Sequence, residues 1–260
     1  MDIGISSANF YPEVETENSI KLMKKLGINL GEVFLNTYSE YDLDFIEILN
    51  EERLKYDFNV YSVHSFSSTF EPFIFDKYKR RRKDSIEIFR KVCKACHELG
   101  GESYSFHGMK KGYYQDIDKK FVVDIFNELT YIAGEENIKL SQENVSWCMS
   151  SQLDFLELLK EEVKYPLNFT LDIKQAYRAN IKPEEYIKIM GNKLNNFHIN
   201  DRDENNSCLL PGRGDVNFQN IKESLNGIEY KGPLIIEVYR ENFEKYDELN
   251  KTKIYLEKIF

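Results

Sequence analysis

The sequence predicts a single (β/α)8 TIM barrel over residues 1–260, and three observations lead there. Short apolar runs alternate with longer amphipathic segments eight times along the chain, and strands separated by helices need crossover connections and therefore a parallel sheet. A chain of 260 residues, 42% of them hydrophobic, supplies one sizeable core, and a closed barrel of ~250 residues fits that length as one domain. No G-x-G-x-x-G follows the first apolar run, so an open dinucleotide-binding sheet has no support. There is no linker, low-complexity tract or short repeat to divide the chain.

The elements follow in order. Ile3 to Ser7 reads as the first strand and Thr16 to Leu26 as the first helix. Glu32 to Asn36 is the second strand, and Leu43 to Tyr56 carries helical spacing at Leu43, Phe45, Ile46, Ile48, Leu49 and Leu54. Asn59 to His64 is the third strand, and Lys79 to Leu99 a long helix stopped by Gly100-Gly101. Glu102 to His107 and Ile117 to Ala133 form the fourth pair. Lys139 to Glu143 and Ser151 to Glu162 form the fifth, with Ser150 or Ser151 suited to cap the helix. Asn168 to Asp172 is the sixth strand, and Pro183 suits the first turn of the helix after it. Leu194 to Asn200 and Phe218 to Leu225 make the seventh pair, Pro233 to Val238 and Glu244 to Ile259 the eighth.

Composition narrows the function classes. The net charge of -9 argues against tight nucleic-acid binding, which depends on basic patches and counterion release. The first residues, MDIGISSANFYPE, lack the basic and apolar regions of a signal peptide. No apolar run approaches the ~18 residues of a membrane span. A cytoplasmic protein is therefore expected, with self-association into a homo-oligomer left open. The four cysteines fit that compartment. Cys93 and Cys96 form a C-x-x-C, but within a helical pattern and with no second pair at zinc-finger spacing, so they read as buried thiols. Cys148 and Cys208 read the same way.

The candidate site lies at the strand ends. His64 stands on the third, His107 on the fourth, Glu143 on the fifth, Asp172 on the sixth, His198 on the seventh and Glu237 on the eighth. In a parallel barrel the C-terminal ends of all strands meet on one rim, so these side chains can share one centre. Any one of them alone is better explained as a satisfied core residue, a cap or a first loop residue. Their recurrence on successive strands is what points to a site. Imidazole with carboxylate suits Zn²⁺, Mn²⁺, Co²⁺ or Fe²⁺, and a carboxylate-rich set also takes Mg²⁺. His198 and Asp201 form a His-x-x-Asp at the end of the seventh strand, with the Gly-rich turn Pro211 to Asp215 behind it, another place where barrel enzymes hold a metal or substrate. His97, in the last turn of a helix, needs only dipole complementarity or solvation.

On these residues the chain resembles the xylose-isomerase-like barrel superfamily of sugar isomerases and epimerases, which includes the endonuclease-IV-type apurinic endonucleases. The matching stretches are Val63-His64, Phe106-His107-Gly108, Gln142-Glu143-Asn144, Leu171-Asp172, Phe197 to Asp201, Leu210 to Asp215 and Ile236-Glu237. The resemblance implies one divalent metal held by Glu143, Asp172, His198 and Glu237, with the two glutamates also acting as acid and base at the substrate carbon. From the endonuclease branch it implies a second metal at His64 and His107, bridged by Glu143. That branch also needs a histidine three residues after the sixth-strand Asp and another after the seventh strand. Gln175 occupies the first place, and no histidine follows His198, so a three-metal phosphodiesterase site lacks its ligands. Gln175 also replaces a histidine that many epimerases use to hold substrate oxygens, and Gln offers hydrogen bonds but no charge.

The function expected is therefore a metal-dependent isomerase or epimerase of a sugar, sugar phosphate or related polyol. It would abstract a proton beside a carbonyl and pass through an enediolate, with a hydride shift or a dehydration as variants. Trp147 and the aromatic stretch Phe66 to Phe75 could cover a sugar, with Lys174, Gln175 and Arg213 as further contacts; Lys174, Arg178, Arg202 and Arg213 are cations on the rim loops. The rivals are an abasic-DNA phosphodiesterase and a non-catalytic sugar-binding barrel.

Overall fold

Eight parallel strands pair in chain order and close on themselves, the last against the first, as the alternating sequence pattern predicts. The computed structural model describes residues 1–260. The strands are β1 (Ile3–Ser6), β2 (Leu30–Leu35), β3 (Asn59–Ser65), β4 (Ser103–Phe106), β5 (Lys139–Glu143), β6 (Leu167–Asp172), β7 (Leu194–Ile199) and β8 (Leu234–Ile236). The helices are α1 (Thr16–Lys25), α2 (Leu43–Lys55), α3 (Glu71–Ile74), α4 (Lys79–Glu98), α5 (Lys119–Glu135), α6 (Leu153–Glu162), α7 (Ile173–Arg178), α8 (Pro183–Met190), α9 (Phe218–Gly227) and α10 (Asp247–Leu256). No helix is long and apolar enough to cross a membrane.

The period of two along each strand separates two environments. Val63, Tyr104, Phe106, Leu140, Phe169, Leu171, Phe197 and Ile199 belong to one apolar cluster with the helix faces, for example Ile86, Phe89, Val92 and Cys96 of α4. The alternate positions are polar and buried: Ser62 and His64, Ser103 and Ser105, Ser141 and Glu143, Thr170 and Asp172, Asn196 and His198. They bond to one another between nearby strands, as Ser103 Oγ to Ser141 Oγ at 2.7 Å and Ser105 Oγ to Thr170 Oγ1 at 3.3 Å show. Register shifts in β2 between Gly31 and Glu32, and in β6 between Phe169 and Thr170, bring Glu32 opposite Ser62 and Thr170 opposite Asn196.

Element ends differ from the sequence reading where capping decides. Gly100, at φ +68°, follows α4 as expected. α5 starts at Lys119 because the Asp118 side chain accepts from the Phe121 N–H, and it runs through Gly134 to Glu135. Neither Ser150 nor Ser151 caps α6: both lie in a preceding 3-10 turn, Ser151 Oγ donates to the Cys148 carbonyl, and Gln152 occupies the cap position. The sequence reading left out α3 and α7, which follow β3 and β6 at the rim. All four cysteines are buried and unpaired.

Candidate metal centre

The polar ladders deliver the site. Each step of two residues from Ser62, Ser105, Ser141, Thr170 and Asn196 leads up the barrel to His64, His107, Glu143, Asp172 and His198. Glu237 joins them one residue past β8, with its N–H on the Ile199 carbonyl at 3.3 Å. The six residues named from the sequence are thus brought to one rim, linked through Glu143 and His198. His64, His107 and Glu143 offer ligand atoms within 4.8 Å of one another, as do Glu143, Asp172 and His198.

Around His198, which belongs to the second of these groups, Nδ1 lies 2.6 Å from Glu237 Oε2 and 3.8 Å from Glu143 Oε1. Yet His198 Nδ1, Glu237 Oε2 and Asp172 Oδ2 are all buried without a hydrogen-bond partner. One imidazole nitrogen and two carboxylate oxygens aimed inward without hydrogen bonds are donors of the kind that suit a divalent cation. Asp172 Oδ1 is occupied instead, accepting from Gln175 N at 3.3 Å and Asn200 Nδ2 at 2.9 Å, which leaves Oδ2 to face the centre.

The first group has the same character. His64 Nδ1 is 2.8 Å from the Ser65 carbonyl, so that nitrogen carries a proton and Nε2 faces inward. There it meets His107 Nε2 at 2.8 Å and Glu143 Oε2 at 3.3 Å. His107 Nδ1 is held by Ser67 Oγ, and His107 Nε2 lies 3.1 Å from Glu143 Oε2. Glu143 therefore offers one oxygen to each group.

Burial opposes charge on every member, and pairing decides the outcome. Burial raises the Glu143 carboxyl, but the charge and hydrogen bond of His107, with hydrogen bonds from His198 and His64, hold it well below the usual range. Burial likewise acts against Glu237, yet His198 and Lys174 draw it down to about 2. Asp172 goes the other way, because burial outweighs the neighbouring Lys174 charge. His64 is lowered by burial but lifted more by Glu143, to about 9, and His198 is lifted well above its ordinary value by Glu32 and Glu237 against the same burial penalty. Three imidazoles and three carboxylates brought to one rim form a nitrogen-and-carboxylate donor set, and such a set fits a divalent ion.

Above the centre lies a cleft of about 220 Å³ lined by Tyr11, Phe34, Phe66, Lys174, Glu237 and Tyr239, among others. A larger cavity of about 560 Å³, lined by Asn59, Tyr61, Lys139 and Asn195, opens at the other mouth of the barrel and touches none of the site residues. Lys174 sits on α7, not on a loop, and is buried with Nζ 3.1 Å from Asp172 Oδ2 and 4.8 Å above the Tyr239 ring. Trp147 packs edge-on to His107, with ring centroids 5.7 Å apart. Gln175 Oε1 accepts from the Ser146 N–H and hydroxyl, at 3.0 and 2.8 Å, and so ties β5's loop to α7. Arg213 is not brought to the cleft: its guanidinium pairs with Glu248 of α10. Arg178 bonds Tyr239 and Ser207, and Arg202 stacks on Tyr177. Asp201 is also not a ligand. Its carboxylate accepts from four backbone N–H groups, those of Arg202, Gly212, Gly214 and Val216, and so builds the Gly-rich turn.

Two carboxylates of the site were not singled out in the sequence. Glu71 on α3 is fully buried and accepts from Ser65, Tyr104 and the backbone N–H groups of His107 and Gly108, fixing the start of the loop after β4. Glu32 on β2 is fully buried against His198, with Oε2 3.1 Å from Nε2.

The family described as xylose isomerase-like TIM barrel matches residues 20–259 of this chain. Among solved structures, a D-tagatose 3-epimerase-like protein superimposes with a TM-score of 0.82 at 22% identity, covering 100% of this chain and 97% of that one. A D-allulose 3-epimerase from Methylomonas sp., in complex with D-allulose, gives 0.82 at 16% identity, with coverage of 100% and 97%. The IolI protein with a binding zinc atom gives 0.80 at 17% identity, with coverage of 100% and 99%. At such identities the likeness establishes the fold.

Proposed function

The chain belongs to the xylose isomerase-like TIM barrel family, and from that premise we propose that it is a divalent-metal-dependent epimerase or isomerase of a small sugar, sugar phosphate or related polyol. The observation that carries this reading is the buried meeting of Glu143, Asp172 and His198, whose ligand atoms lie within 4.8 Å of one another, with Glu237 Oε2 2.6 Å from His198 Nδ1. Glu143, Asp172, His198 and Glu237 hold the ion, which is Mn²⁺, Zn²⁺, Co²⁺ or Mg²⁺, and His64, His107 and Glu143 are placed to hold a second. When bound, a divalent ion supplies Lewis acidity toward the carbonyl and hydroxyl oxygens of the substrate.

Glu143 and Glu237 stand on β5 and just past β8, and each places a carboxylate oxygen near His198. One removes the proton from the carbon beside the carbonyl and the other returns it, at the same carbon for epimerisation or at the neighbour for isomerisation. The glutamate that acts as base enters ionised and leaves protonated, and the one that returns a proton enters as the carboxylic acid and leaves ionised, so the pair exchanges roles with each turnover. Tyr11, Phe34, Phe66 and Tyr239 form the cleft wall and suit the C–H face of a sugar while excluding water. Trp147 extends that wall beside His107, and Lys174 places a cation near the substrate oxygens. A D-allulose 3-epimerase and a D-tagatose 3-epimerase-like protein among the structural neighbours support a ketose as the first substrate to try.

The test is metal analysis of the purified protein, followed by a screen of ketoses and ketose phosphates in deuterated water read by NMR. The reading expects α-deuterium incorporation that stops on chelation and returns with added metal. Turnover that survives complete metal removal would sink it.

A further inference from the structure

We propose that Glu32 is the positioning residue of the metal centre, holding His198 as the tautomer protonated on Nε2 so that Nδ1 is presented to the ion. This inference rests on the metal-dependent reading above and extends it to a residue on a strand that contributes no ligand.

Glu32 lies in the middle of β2 and is fully buried. The register shift after Gly31 sets it beside Ser62 inside the barrel. Its Oε2 faces four donors: Ser62 Oγ at 2.7 Å, Ser105 Oγ at 2.9 Å, Asn196 Nδ2 at 3.0 Å and His198 Nε2 at 3.1 Å. A buried carboxylate is costly unless it is paired, and nothing in proton transfer to substrate uses this one. Its place is explained by the ring it touches. The two nitrogens of His198 point to opposite sides, Nε2 to Glu32 and Nδ1 to Glu143 and Glu237. A neutral imidazole has one N–H and one lone pair, and the partner of one nitrogen decides the role of the other.

Asn196 Nδ2 is also near Nε2, at 3.4 Å, and could donate to it if the ring were turned to the other tautomer. That tautomer would set a lone pair against the Glu32 oxygen at the shorter distance of 3.1 Å, so the carboxylate prevails. Glu32 could instead be read as a ligand, since it falls with His198 and Glu237 in a third group with ligand atoms within 4.8 Å. The contacts of Oε2 speak against that, since Ser62, Ser105 and Asn196 surround it beside the ring, while Nδ1 is the ring nitrogen turned toward Glu143 and Glu237. Oε1 has no partner, so a Gln variant is chosen to separate ligand from positioning residue.

The experiment uses the full chain and Zn²⁺. Glu32→Gln keeps an oxygen at the Oε2 position, because Oε1 has no partner and can give way to the amide nitrogen; Glu32→Leu removes the acceptor. Competition titration should find Zn²⁺ bound ~10–100-fold more weakly by the Leu variant, with the Gln variant between it and wild type. In Zn²⁺-loaded, ¹⁵N-histidine-labelled wild type, long-range ¹H–¹⁵N correlation should find His198 protonated at Nε2 and metal-bound at Nδ1. Metal on Nε2, folded variants with wild-type affinity, or a Gln variant as empty as His198→Ala would each overturn the assignment; the last would make Glu32 a ligand. Should the Leu variant not fold, the wild-type spectrum and the Gln titration still decide. Wild type that fails to bind Zn²⁺, Mn²⁺, Co²⁺ and Mg²⁺ removes the metal reading itself and this inference with it, whereas unchanged affinity in the variants removes this inference alone.

Discussion

Lys174 Nζ lies 3.1 Å from Asp172 Oδ2, with both side chains buried, although no N–H is aimed to make a hydrogen bond. The contact is a charge pairing, and it follows from local chain geometry. Asp172 ends β6 and caps α7 through Gln175 N, so the residue two places on rises in the first turn of a short helix against the carboxylate. The proposed metal and this ammonium would both neutralise the same carboxylate. Lys174→Met should therefore destabilise the metal-free protein by ~3–5 kcal/mol, the usual cost of leaving one partner of a buried pair alone. Saturating Zn²⁺ should recover more stability in the variant than in wild type, because the ion supplies the missing charge. Urea unfolding with and without metal measures both; a metal-free variant as stable as wild type would show that the pair carries no net energy.

Glu237 has two proposed roles, ligand and proton-transfer group, and they can be separated. Glu237→Gln keeps the side chain's shape and one acceptor oxygen but loses its basicity. Turnover of an identified ketose should fall ~10²–10⁴-fold, with substrate binding better preserved and metal affinity reduced. Exchange of the α-hydrogen into deuterated water, followed by NMR, should fall in parallel. A variant that epimerises at the wild-type rate with metal bound would end the assignment. Wild-type turnover without solvent exchange would favour a hydride shift or an internally recycled proton.

The protein is expected not to nick abasic-site DNA. Gln175 stands where the phosphodiesterase branch needs a histidine, and its carbonyl is committed to Ser146. No histidine follows His198, and the chain carries a net charge of -9, which opposes approach to a polyanion. Gel assay of an abasic duplex with added Zn²⁺ or Mn²⁺ decides the matter: metal-dependent nicking, lost in Glu143→Ala, would reverse the ranking of the two branches.

The barrel and the six rim residues were legible because each strand announces itself as a short apolar run, and those from the third to the eighth end in a residue that can ligate a metal. Glu32 was not. Read as the first residue of its strand, a charge there looks like an exposed end; the strand in fact starts at Leu30, which puts Glu32 inside. A signal was available in the small polar residue two places before each rim residue on β3 to β7, namely Ser62, Ser105, Ser141, Thr170 and Asn196. A polar layer of that kind inside a barrel needs a charged or polar counterpart, and Glu32 is the one β2 supplies. The helix α7 escaped notice because it is short and its cap is the same Asp172 that reads as a ligand. The fate of the rim cations lies beyond any local pattern: Arg213 finds its partner 35 residues away, on a helix whose docking only the closed barrel determines.

Asp201 carries the last prediction. In the sequence it pairs naturally with His198 as a metal or substrate residue, yet its oxygens are filled by backbone N–H groups. Oδ1 takes those of Arg202 and Val216 at 2.8 and 3.0 Å, and Oδ2 those of Gly212 and Gly214, both at 2.9 Å. The turn it holds is tight: a Cβ on Gly214 would meet the Arg202 carbonyl oxygen at 2.1 Å. Asp201→Asn keeps one accepting oxygen but turns an NH₂ toward two N–H donors, leaving them unsatisfied in a buried setting. Hydrogen bonds to a charged group contribute ~1.5–3 kcal/mol each, so the loss should be about 3 kcal/mol or more in urea unfolding, and Gly214→Ala should destabilise through the same turn. The Zn²⁺ affinity of the folded Asp201→Asn protein should match wild type, since none of the four proposed ligands is touched. Loss of metal binding in a variant that stays folded would return Asp201 to the metal site.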